Sequence, residues 1–590
     1  MNKPKSDFKL FAIILMILAV CFTLIFTYYP KILPMSEAEN QFTYQSQIFD
    51  EDALLKINIL VDETSWQEML DTANEENYIQ ADIMINNEVF NHVGIRPKGN
   101  SSLSSVYSSD SDRYSFKIEF DHYQDGKNAY GLDKLVLNNI QSDASYLKEF
   151  MSYDLFRFMD VPASYAVMSE VYLNGEYWGC YVALEAIEES FAMRNFQASY
   201  GQFYKPENTM GMRGGESTQN NEGTDLAYID DNVSSYSTLL DAAIFDQDAV
   251  SEQRVIDALK ALSTGENLEE SFDVEEIIRY IACNTFLNNM DSYFGNMLHN
   301  YYLYEEKGLL QMIPWDYNLA FGGFQQNDES SVINLAIDTP ISGITIDKRP
   351  LINQLLSNYE YKAYYYEQLQ KIVDEYINSN VFSNKITEMA SLIDHSVAND
   401  PTSFTSYEEF TNAIPTLIKY GELRAKSIQG QLDGIIPSTT KEQNEASESL
   451  IDVSDFSLSN LGTQGGRGNI KNELAPSDKP EGDDEMQDKP IGFNPELMKQ
   501  ARSILENTTE ISDEQKHQLY DLGLDDEQIS EIFDMQQNMD KKDRGEMPEG
   551  GGESPTARTT TIDKTQLVLV GGCLILSILI CRVAMKYKRK

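Results

Sequence analysis

Two acids and an amide in one stretch carry the chemistry that this sequence offers. Asp291 precedes Asn296 by five residues, and Asp316 follows the apolar run 309–314. The D-x-x-x-x-N spacing is that of a phosphoryl-transfer catalytic loop, in which the Asp orients or deprotonates an attacking hydroxyl and the Asn holds a cation. A second acid after a strand is where such a site places its other cation ligand, and hard oxygen donors suit Mg²⁺ or Mn²⁺. Spacing alone is weak, because Asp and Asn also cap helices and form turns. The order of loop, hairpin and acid is what raises it above chance.

The elements that must hold these residues are legible from periodicity. Residues 53–62 alternate as a strand, and 78–90 form a hairpin around Asn86-Asn87. Residues 93–105 look like a Gly- and Ser-bearing loop, 114–121 a strand carrying Lys117, and 134–138 another short strand. Apolar residues at 147, 150, 151, 155 and 158 make one helical face over 144–158. Strands 166–173 and 178–184 turn at Asn174-Gly175, a strong hairpin signal, and a helix is expected over 186–195. Residues 207–224 form a polar, Gly-rich loop. From 234 to 428 the pattern is helical, broken by a hairpin over 301–314. A strand-rich front and a helical back define an α+β domain over 53–435.

Past that domain the composition turns to Ser, Asn, Gly, Asp and Glu, so 436–493 is expected to be a disordered acidic linker. Helical period returns over 494–540, and 541–564 is a Gly/Glu/Thr tether. Residues 10–29 and 566–584 are apolar runs long enough to cross a bilayer. Lysines precede the first, and a basic tail, 586–590, ends the second. The positive-inside rule then puts both ends in the cytoplasm and the acidic domain outside the cell membrane. A cleaved signal peptide is the rival reading of residues 1–30. The net charge of −48 and pI near 4.3 exclude a phosphate-binding nucleic-acid partner. Only Cys180 and Cys283 lie between the runs, either as one disulfide or as buried thiols.

Several ordered motifs carry a resemblance. Gly94-Ile-Arg-Pro-Lys-Gly-Asn-Ser-Ser102, Ser115-Phe-Lys-Ile-Glu-Phe120, Asp143-Ala-Ser-Tyr-Leu-Lys-Glu149, Asn174-Gly-Glu-Tyr-Trp-Gly-Cys-Tyr181 and Pro314-Trp-Asp-Tyr-Asn318 resemble the spore-coat CotH family of atypical protein kinases, across about residues 57–428. The resemblance implies a kinase-like fold with a strand-rich N-lobe and a helical C-lobe. It also implies transfer of the γ-phosphoryl group of ATP to Ser or Thr of surface or coat proteins. On that reading Lys117 contacts the α/β-phosphates and Glu149 holds it, while Gly99, Asn100, Ser101 and Ser102 offer N–H groups and hydroxyls to phosphates, with Arg96 and Lys98 adding charge. Glu185 takes the place of the adenine hinge, Asp291 serves the acceptor hydroxyl, and Asn296 and Asp316 hold the metal. His299 and Asn300 support the loop, and Trp315 belongs to the core. Many members carry a second acid two residues after the metal-binding Asp; here that residue is Asn318. The competing reading is a non-catalytic surface protein that keeps the fold for adhesion or coat assembly.

Overall fold

The computed structural model describes residues 43–206, 223–245, 249–324, 328–462 and 515–516. The chain divides into two compact units at residue 469, and the described fold belongs to the first. The two apolar runs and the segments 494–540 and 541–564 lie outside the described residues, apart from 515–516. Among the described residues no helix is long and apolar enough to cross a membrane.

The front half is a closed barrel of β1 (Leu55–Leu60), β2 (Ile79–Ile85), β3 (Glu88–Lys98), β4 (Ser115–Glu119), β5 (Lys134–Asn138), β6 (Ala166–Leu173) and β7 (Glu176–Glu185). Its order is β1-β2-β3-β4-β5-β7-β6, closed by parallel pairing of β1 with β6 from Leu55↔Ser169 to Ile59↔Leu173. Alternation along each strand supplies two cores. Ile57, Ile83, Phe116 and Leu137 point inward and meet Trp66 and Leu70 of α1 (Glu63–Asp71), which Asp62 starts by accepting the Ser65 N–H at 3.0 Å. Val136, Met168, Val182 and Leu184 point outward into the larger core. There they meet α3 (Lys148–Phe158) and the central helix α6 (Val274–Leu287). Each fully buried Ile or Phe in these cores contributes roughly 1.5–3 kcal/mol.

Between β3 and β4 the chain forms a helix, α2 (Ser101–Tyr107), where a loop over 93–105 was expected. Gly94 and Pro97 hid the strand period, yet Val93, Ile95 and Pro97 all face inward, so β3 continues to Lys98. After β7 come α4 (Glu189–Phe196) and β8 (Gln202–Tyr204), then α5 (Ala249–Thr264) and α6. The hairpin of β9 (Tyr301–Glu306) and β10 (Leu309–Pro314) follows, and β8 joins it as a third strand, in the order β10-β9-β8. Four longer helices follow in the back half: α7 (Pro350–Ser357), α8 (Tyr359–Lys371), α9 (Val381–Ala398) and α10 (Tyr407–Leu432).

The folded unit extends beyond 53–435 at both ends. Tyr44 is buried and donates to Glu185 at 2.6 Å. Residues 440–461, expected in the linker, form short helical turns that bury Phe456, Leu458 and Leu461. Those three apolar side chains sit among polar neighbours, so average composition concealed them. Cys180 and Cys283 are both free and buried.

Arg113 ties the halves together. Its Nη1 reaches both carboxylate oxygens of Asp400 at 2.9 Å, its Nε donates to the Asn139 carbonyl at 2.9 Å, and its Nη2 donates to the Cys180 carbonyl. Arg113 and Asp400 are both buried. Arg113→Ala would strand the Asp400 charge, so urea denaturation should show a loss of about 3–5 kcal/mol. A loss under about 1 kcal/mol would mean that water replaces the guanidinium.

Candidate active site

One row of residues across three strands faces the helical half. Lys98 pairs with Ser115 in the β3–β4 register, and the β4–β5 register continues that row to Asn138. All three line a narrow polar cleft with Ser101, Ser102, Asp291, Asp316 and Asn318. Lys98 Nζ donates to Asn138 Oδ1 at 3.0 Å, and Asn138 Nδ2 donates to Glu149 Oε2 at 2.7 Å. An amide thus stands between ammonium and carboxylate and keeps them from collapsing into a direct pair. The second oxygen, Glu149 Oε1, is buried and accepts no hydrogen bond from the described residues. Burial pushes the Glu149 carboxyl up to about 8; the charge of Asp316 adds to this, and the Asn138 bond and Lys98 oppose it. Burial pushes the Lys98 ammonium down, against the pull of Asp316 and then Glu149. Its Nζ also lies 5.9 Å from the Trp315 ring centre, and that ring is buried edge-to-face on Tyr302.

The acids arrive on the two loops that flank the hairpin. Asp291 Oδ1 is 2.8 Å from His299 Nε2, and Asp291 Oδ2 accepts from Asn300 Nδ2 at 3.1 Å. Asn300 also donates to the Asp291 carbonyl at 2.8 Å, so both residues hold the loop. Asp316 adopts φ +58, a left-handed conformation that Asp tolerates better than most residues, and its N–H donates to the Tyr153 hydroxyl of α3 at 3.0 Å. Asn284, buried on α6, binds the two loops to each other. Its Nδ2 donates to the Asn289 carbonyl at 3.2 Å, and its Oδ1 accepts from the Tyr317 hydroxyl at 2.9 Å. A polar residue near the apolar C-terminal end of the helix was the only sequence signal for Asn284. Asn138 had none, being the last residue of a short strand.

Of the expected positions, Lys117, Arg96, Glu185, Asn296 and Asn100 do not line this cleft. Lys117 lies one row further along the barrel, where its Nζ is 3.5 Å from Glu188 rather than beside Glu149. Two residues along a strand is a displacement of about 6.6 Å, enough to separate them. Arg96 shares that row, bonds Glu76 and the Pro97 carbonyl, and stacks 5.3 Å from the Tyr78 ring centre. Glu185 is consumed structurally: Arg194 holds both its oxygens at 2.6 and 3.1 Å, and its own N–H donates to the Tyr165 carbonyl at 2.9 Å. It therefore has no free N–H for adenine. Asn296 is exposed, with its amide beside Gly343. The cause is Arg349, which binds the carbonyls of Tyr293 and Gly295 and turns the next residue outward.

Gly99, at φ +126, lets the chain bend into α2; a Cβ there would lie 2.6 Å from Ser102 Oγ. Asn100 is exposed, while Ser101 and Ser102 turn into the cleft.

These features define an α+β domain with a polar cleft, supplied with a lysine and two acids, between a strand barrel and a helical half. The chain belongs to the CotH kinase family: the family model, described as CotH kinase protein, matches residues 95–428, more than half of its length. It is similar to the inner spore coat protein H of Bacillus subtilis strain 168, at 23% identity over 328 residues, covering 55% of this chain and 84% of that protein. A solved structure, the HipA, HipB and operator DNA complex of the Shewanella oneidensis MR-1 toxin–antitoxin system, matches 58% of this chain and 73% of its own at 10% identity, with a TM-score of 0.29.

Proposed function

We propose that this chain is a kinase that transfers the γ-phosphoryl group of ATP to Ser or Thr hydroxyls of a surface or spore-coat protein, tethered to the cell membrane by its terminal apolar runs. One observation carries the reading: Lys98, Asp291 and Asp316, far apart in sequence, line one cleft with a buried glutamate behind them. Phosphoryl transfer asks the protein mainly for charge neutralisation and alignment. Lys98 meets the phosphates, and Ser101 and Ser102 offer hydroxyls to them. Asp316, whose carboxylate accepts no hydrogen bond from the described residues, and Asn318 both line the cleft and would hold Mg²⁺ or Mn²⁺ there through hard oxygen donors. Such an ion, when bound, supplies charge neutralisation at the transferring group. Asp291, held by His299 and Asn300, orients the acceptor hydroxyl. As the new O–P bond forms and the bond to the ADP oxygen breaks, the hydroxyl proton passes to the Asp291 carboxylate.

A non-catalytic role in adhesion or coat assembly is favoured by one observation: with Asn296 turned outward and Asn318 in place of an acid, Asp316 is the one expected metal ligand that lines the cleft. Purified protein incubated with γ-labelled ATP and Mn²⁺ decides between them. Label on the protein or on an added Ser-rich acceptor supports the kinase. Absence of both labelling and nucleotide binding supports the second reading.

A further inference from the structure

The family match ends at residue 428, yet more than thirty residues later the chain returns to the loop that flanks the cleft. Asn334 first anchors the segment, accepting the Ile451 N–H at 2.9 Å and donating to its carbonyl at 3.2 Å. Leu458 and Leu461 are then buried in the main core. The Leu461 carbonyl accepts the Ala144 N–H at 3.1 Å, and the Gly462 carbonyl accepts from Lys148 Nζ at 2.6 Å. The same ammonium donates to the Ser142 carbonyl at 3.1 Å, and Lys148 is wholly buried. Gly462 has φ +73, and a Cβ there would lie 2.8 Å from the Ser142 carbonyl oxygen, so the approach requires glycine.

The contacted loop matters because of what flanks it. Its residues Ile140, Gln141 and Ser142 line the cleft, Asn138 precedes it, and Lys148 is the neighbour of Glu149 at the start of α3. Asp143 caps that start by accepting the Lys148 N–H at 2.8 Å. The loop is therefore fixed from inside by Asp143 and from outside by the returning segment.

We propose that residues 437–462 act as a strap that sets the cleft, with Lys148 as the positioning residue through which the strap fixes loop 139–147 and the start of α3. The consequence for nucleotide rests on the proposed kinase reading; the fixing of the loop does not. Loosening the strap lets Ser142 and the α3 start drift, so Asn138 no longer holds Lys98 and Glu149 in register. Ground-state binding of nucleotide weakens first, since the acids on the hairpin loops are anchored separately by Asn284 and Asn300.

The test uses the full chain with Gly462→Ala and, separately, Lys148→Gln. Amide hydrogen exchange should quicken by about tenfold over residues 139–147 in both variants while β9 and β10 keep their protection. The KM for ATP should rise about tenfold with kcat within about threefold of wild type. Unchanged exchange over 139–147 overturns the strap, whatever the activity. Faster exchange there with an unaltered ATP KM overturns its link to the cleft. Loss of protection throughout the domain in both variants also overturns it, by making the segment part of the global fold. If the wild type neither binds nor uses ATP, the kinase reading fails, and the exchange comparison still judges the strap.

Discussion

Replacing Asp316 by Asn is expected to lower phosphoryl transfer about 10³-fold, or about 4 kcal/mol in the barrier, with the melting temperature unchanged. The substitution keeps shape, and Asn tolerates the left-handed backbone at φ +58 as Asp does. The anchor of this residue is its N–H on the Tyr153 hydroxyl, which Asn retains. No hydrogen bond from the described residues ends on the carboxylate, so the fold loses no contact. What disappears is the negative charge facing Lys98 and Asn318, which the proposed cation needs. Labelling with γ-labelled ATP and Mn²⁺, run beside a thermal melt, checks both halves. Equal labelling by variant and wild type would remove Asp316 from the chemistry. A lowered melting point would show that the carboxylate holds structure instead.

The sequence was most informative where periodicity and chemistry coincided. The hairpin over 301–314 and the helix before β6 were readable because buried faces repeat at fixed spacing, and Asp291 and Asp316 do share a cleft. It was least informative where function depends on which row of a sheet a side chain occupies. Lys98 and Lys117 both project from the outer face of the barrel, and local pattern ranks them alike. Only the β3–β4–β5 register, a long-range property, places Lys98 in the row with Asn138 and Lys117 in the next one. Asn296 fails for a similar reason. Its spacing from Asp291 is right, but Arg349, more than fifty residues later, decides which way the loop turns. Glu185 fails because its partners, Tyr44 and Arg194, come from elements on either side of the barrel.

Register therefore makes a comparison that can fail. Lys98→Met should reduce transfer about 10²-fold, roughly 2.7 kcal/mol, whereas Lys117→Met should change it less than about threefold. Methionine keeps most of the aliphatic stem, so the Lys98 change isolates the charge near the Trp315 ring and its bond to Asn138. The Asn138 oxygen loses its donor, at a cost of about 1–3 kcal/mol in stability if water does not replace it. Urea denaturation measures that part independently. In Lys117→Met the charge lost is one that Glu188 also balances with Lys134, at 3.0 Å, so the remaining pair keeps that carboxylate satisfied. ATP affinity should follow the same order, because Lys98 lines the acid cleft and Lys117 does not. If instead Lys117→Met were the damaging change and Lys98→Met the mild one, phosphates would have to lie one row along the barrel, beside Glu188. Asp316 would then be too far along the sheet to share a cation with them, and the arrangement of lysine, amide and acids would have to be read as structural.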